Sequence, residues 1–66
     1  MELQEKARIR IEHWLNHNKS HVEDYQKFAE QLEEARMQPC AGYIREMIAW
    51  TAKSNDCLQE ALDALS

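Results

Sequence analysis

In the second half of the chain, Ile44, Ile48, Thr51, Asn55, Leu58, Leu62 and Leu65 recur at alternating intervals of four and three. That is the heptad spacing of a helix lying lengthwise against another in a left-handed pair. Ala41, Tyr43, Met47 and Ala61 widen the stripe toward the ~100° arc typical of a bundle helix. The first half repeats the pattern with Ala7, Ile11, Trp14, Asn18, His21, Tyr25, Phe28, Leu32 and Ala35. One strong interruption separates the two, Met37-Gln38-Pro39-Cys40-Ala41-Gly42. Pro39 disfavours helical geometry at Gln38 but suits the first turn of a new helix, and Gly42 loosens the backbone. The pattern predicts an all-α fold, a single domain over 1–66. A helix at about 2–37, a proline turn at 38–41 and a helix at about 41–65 form an antiparallel hairpin.

The weak point is Asn16-His17-Asn18-Lys19-Ser20, mostly poor helix formers. Ser20-His21-Val22-Glu23 also matches a capping box, in which serine opens a new helix and glutamate closes the bond back. A three-helix bundle broken near Asn18 is the alternative. Phase argues against it. Ile11 and Tyr25 stand 14 residues apart, two whole heptads, so the stripe crosses the weak stretch in register.

A two-helix hairpin buries one side of each helix and little else. Trp14, Leu15, Val22, Tyr43, Met47 and Trp50 are then left as apolar surface beside the seam, a large patch for so small a protein. Pairing two hairpins into a four-helix bundle buries it, and twofold symmetry is the commonest way to do so. The sequence therefore predicts a homodimer. At 66 residues the chain is near the lower limit for a self-sufficient core, which points the same way.

Composition narrows the function. Gly and Pro occur once each, and the formal net charge is −4. A nucleic-acid binder would carry a basic stripe, whereas Lys6, Arg8 and Arg10 are interleaved with Glu2, Glu5 and Glu12. No apolar run reaches the length of a signal-peptide core or a membrane span, so the expected address is the cytoplasm, with no membrane partner. Cys40 and Cys57, on one helix, stand about 25 Å apart and cannot bridge. Free, buried thiols are the expectation.

The remaining chemistry is a row of three histidines, His13, His17 and His21, four residues apart and hence on one helix face. Folding the chain about Gln38 sets His21 against Asn55 and Asn18 against Leu58. Asn18, His21, Tyr25, Thr51 and Asn55 then form one polar patch, with Cys57 at the level of His17 and His21. One reading is a hydrogen-bonded network that fixes register and oligomeric state. The other is a metal site, with His17 and His21 as a chelating pair and His13 or Cys57 as auxiliary ligands. That donor set suits zinc, nickel or copper. Catalytic arrangements are missing: neither Glu-x-x-His nor His-Glu-x-x-His occurs, and Ser20-His21 lacks an orienting acid. The expectation is not an enzyme.

The run His13-Trp14-x-x-His17-Asn18-x-x-His21, with Tyr25, Asn55 and Leu58, resembles a small helical family of prokaryotic proteins that carry this motif and have no assigned activity. The resemblance spans nearly the whole chain. It implies a small helical domain and a role for the histidine row. It also implies a glycine at the interhelix turn, where this chain has Arg36-Met37-Gln38-Pro39. Two functions compete: a homodimeric structural module offering a surface to a protein partner, and a small metal carrier or sensor built on the histidine row.

Overall fold

The computed structural model describes residues 2–65. They form two helices, α1 (Leu3–Glu34) and α2 (Gln38–Ala64), packed as an antiparallel hairpin. The helix α1 runs unbroken through Asn16–Ser20, so the three-helix alternative falls. Seam side chains on either side of that stretch outweigh its poor intrinsic propensity.

The turn is shorter and earlier than the proline suggests. After Glu34 the backbone passes through Ala35 and then Arg36, which adopts the left-handed conformation with φ 62°. The Met37 N–H donates to the Leu32 carbonyl (2.8 Å) and the Arg36 N–H to the Glu33 carbonyl (3.0 Å). These two bonds make a Schellman motif, with arginine where glycine is usual. A side chain in that conformation costs about 1–2 kcal/mol, offset here by satisfying two carbonyls at the helix end. Pro39 is already inside α2, in its first turn, where a missing N–H leaves no bond unmade. The connection is therefore 35–37 rather than 38–41. Gly42 is an ordinary helical residue, with no close neighbour that demands glycine.

All seven expected seam positions of α2 are half-buried, and Ala41 is buried beside them. In the first half the seam differs at three places: Ala35 lies exposed in the turn, and two doublets within α1 exchange roles. Leu15 and Ala29 are buried, while Trp14 and Phe28 are 47% and 51% exposed. Each pair holds adjacent apolar residues that fit the heptad about equally. The narrow gap between two helices takes the smaller side chain and turns the ring to the flank. Leu15 and half-buried Val22 thus belong to the core and not to the exposed surface.

The moved turn also slides the register. Asn18 now meets Asn55, its side-chain nitrogen donating to the Asn55 oxygen at 3.0 Å. The expected pairings of His21 with Asn55 and Asn18 with Leu58 are displaced by three residues. From Asn18–Asn55, equal rise along both helices sets Leu32 level with Ala41 and Ala29 level with Ile44, one large side chain facing one small at each step.

Each end of the hairpin is tied. Near the turn, Arg45 grips Glu33 with two parallel bonds, Nε to Oε2 at 2.8 Å and Nη2 to Oε1 at 2.7 Å. Those bonds hold the Glu33 carboxyl below the ordinary carboxylate range, so the clamp persists at neutral pH and is released as acid protonates Glu33. At the open end the Gln4 amide donates to the Leu65 carbonyl.

Candidate functional site

Helix phase sorts the remaining apolar side chains onto one broad face. Trp14, His17, His21 and Phe28 each immediately precede a residue at the inward seam of α1 (Leu15, Asn18, Val22 and Ala29). Tyr43, Met47, Trp50, Cys57 and Ala61 immediately precede Ile44, Ile48, Thr51, Leu58 and Leu62 in α2. One step back along a helix is a rotation of about 100°. In antiparallel helices these rotations point to the same side of the hairpin. The face therefore carries a second run of 4-3-4 spacing beside the first, on both helices. It is well exposed, with Trp50 at 61% and Tyr43 at 74%. Lys53 covers part of the Trp50 ring, its Nζ 5.6 Å from the centroid, a cation–π approach that leaves the rest open. Toward the open end a groove lined by Leu3, Lys6, Ala7, Arg10, Ile11 and Trp14 extends the same surface.

The histidine row crosses the middle of this face. The His17 and His21 Nε2 atoms are 2.9 Å apart, a hydrogen bond in which one ring donates and the other accepts. Their planes stand at 83°. Each of these rings has a further ring on its outer side. His13 stacks on His17 (centroids 6.0 Å, 23°), and Tyr25 stacks on His21 (5.7 Å, 17°).

Other members of the expected site are not gathered. Cys57 is exposed, as is Cys40, so neither is the buried thiol expected of a free cysteine. Both project from faces of α2 that no other element covers. Among the described residues no three His, Cys, Asp or Glu side chains converge to hold a metal ion. His13 and Cys57 thus do not join His17 and His21 in a single ligand set.

The polar patch is likewise narrower than the spacing suggests. Only Asn18–Asn55 bridges the helices within it. The Thr51 hydroxyl donates to the Met47 carbonyl of its own helix (2.9 Å), and His21 bonds to His17. Asn55→Ala should therefore strand Asn18 and cost about 1 kcal/mol, the lower part of the range for a buried partner left unpaired, because the pair is only half-buried. Asn55→Leu strands Asn18 as well but fills the space with apolar surface, so it should lose less than Asn55→Ala while loosening register. Urea midpoints of the two variants check this; an unchanged midpoint in Asn55→Ala would mean that the bond contributes nothing, and equal loss in both that the volume packed at position 55 does not matter.

Residues 7–65 match the family described as a domain of unknown function, DUF8180. The chain belongs to this family. The matched stretch takes in the whole histidine row, both seams and the turn, so the DUF8180 domain here is the hairpin itself. No curated protein and no solved structure matches the chain. Among the described residues no helix is long and apolar enough to cross a membrane.

Proposed function

We propose that this chain is a non-enzymatic homodimeric module, in which the aromatic face of one hairpin packs against that of a second copy to complete a four-helix bundle. The outer, charged faces are then free for a protein partner. The observation that carries this reading is surface in excess. The hairpin exposes 5239 Å², against about 4,400 Å² for a compact monomer of its mass. The excess, roughly 800 Å², is about what one partner buries in an interface of standard size. Shape agrees: the radius of gyration is 15.3 Å and the Cα extents are 51 × 15 × 11 Å, where a compact chain of this length has about 11 Å.

The face has the composition of an interface core, with Trp, Tyr, Phe and Met and few charges. It also continues the heptad geometry that already joins α1 to α2. The acidic balance and the absence of a basic stripe favour a protein partner over nucleic acid. Two free, exposed thiols suit a reducing compartment such as the cytoplasm. Thermal unfolding tests the pairing. The midpoint of a dimer rises with protein concentration by mass action, whereas that of a self-contained hairpin stays fixed.

A further inference from the structure

We infer that His17 and His21 form a two-nitrogen chelate for a tetragonal divalent cation, with copper(II) as the ion it fits best. The inference goes beyond the pairing of hairpins, because both ligands come from one helix of one chain.

The argument starts from the bite. Imidazole nitrogens bind transition metals at about 2.0–2.1 Å. Two of them on one ion stand about 3.3 Å apart at the tetrahedral angle, but about 2.9 Å apart when the angle is 90°. The His17 and His21 Nε2 atoms are 2.9 Å apart. The pair is thus spaced for adjacent corners of a square, the geometry of copper(II) and nickel(II), and is too narrow for tetrahedral zinc without opening. Of the divalent first-row ions copper(II) stands highest in intrinsic affinity.

Spacing alone would be a weak argument, since histidines four apart occur on many helices. Here both Nε2 atoms are turned toward each other and not outward to solvent. His13 and Tyr25 back the two rings on their outer sides, which limits their freedom before any ion arrives and lowers the ordering cost of binding. Loading needs no oxidant and no other side chain. The ring whose Nε2 carries the shared hydrogen shifts it to Nδ1, and the two neutral imidazoles each turn by about 45° off the line between their nitrogens, so that both Nε2 lone pairs meet at the ion. Water fills the remaining corners, since among the described residues no third protein ligand is in place.

The test is calorimetric titration with copper(II) of the chain bearing no added histidines, beside five single variants and one double variant, with nitrogen hyperfine splitting read by electron paramagnetic resonance. The expected result is one copper per chain with two equatorial nitrogens. His17→Ala and His21→Ala should each weaken binding at least tenfold, with His13→Ala and Cys57→Ala within twofold of the parent. Alanine favours helix at all three histidine positions, and circular dichroism confirms that each variant is folded. Trp50→Glu, which uncovers the face that carries the row, should still bind one copper per chain at least as tightly as the parent, which separates this site from the pairing of hairpins. Loss of binding in that folded variant would mean that a second copy supplies ligands and would overturn the assignment. So would a His17→Ala, His21→Ala double variant that binds as tightly as the parent, or equal weakening by His13→Ala.

Discussion

Leu32→Ala should cost the hairpin about 2–3 kcal/mol, enough to leave much of the chain unfolded at room temperature. Leu32 is 6% exposed and, among the described residues, is buried along with Leu15, Ala29 and Ala41. Truncating a buried leucine loses its transfer energy and leaves a cavity, and the usual range is 2–5 kcal/mol. The lower part applies here because a two-helix seam can close partly around the gap. A core this small rarely provides more than 3–5 kcal/mol in all. Leu32 also accepts the Met37 N–H that closes the turn, so collapse there loosens the connection as well. Ile9, 55% exposed on the outer side of α1, supplies the control: Ile9→Ala should stay within about 0.5 kcal/mol. Urea denaturation followed by circular dichroism reads both. If the two variants unfolded at the same midpoint, the seam would not be where the structure places it.

Trp50→Glu should abolish pairing while leaving the hairpin helical. Trp50 projects from the face opposite no other element, 61% exposed, so a single hairpin loses little when it is replaced. In the dimer the change falls on both copies. A buried tryptophan anchor is commonly worth 2 kcal/mol or more, and a stranded carboxylate adds to the loss. Two such losses amount to roughly a thousandfold weaker association. Tyr43→Glu, at the same side of α2 but nearer the turn, should act in the same direction. An association unchanged by Trp50→Glu would mean that pairing, if it occurs, uses another face.

The two helices and their antiparallel pairing are legible in the sequence, and α2 is legible position by position. A second 4-3 run stands one position back, at Tyr43, Met47, Trp50 and Cys57, but the run through Ile44, Ile48, Leu58, Leu62 and Leu65 is the longer and holds the aliphatic side chains, and it is the seam. In α1 the doublets Trp14-Leu15 and Phe28-Ala29 admit two solutions. The heptad cannot choose between them; side-chain bulk at a close helix–helix approach does. The turn was misplaced for a related reason. Pro39 is conspicuous in a sequence, but the event that ends α1 is the left-handed backbone of Arg36, and arginine carries no mark of it. That three-residue error moved Asn55 from His21 to Asn18.

At the histidines, spacing conveys that the three share a face. It does not convey that the His17 and His21 nitrogens face each other or that His13 and Tyr25 back them, since those depend on ring torsions. Cys57 illustrates the converse. It lies at about the right level along the hairpin, yet level along an axis is not reach across it, and among the described residues its thiol joins no cluster with the histidines.

Sedimentation equilibrium of the intact chain at micromolar concentration tests the central claim most directly, because the argument for pairing rests on surface that one hairpin leaves uncovered. The account predicts a mass near twice the 7.8 kDa of the chain, falling to the single value in Trp50→Glu. A folded parent that sediments at the single mass throughout that range would contradict it.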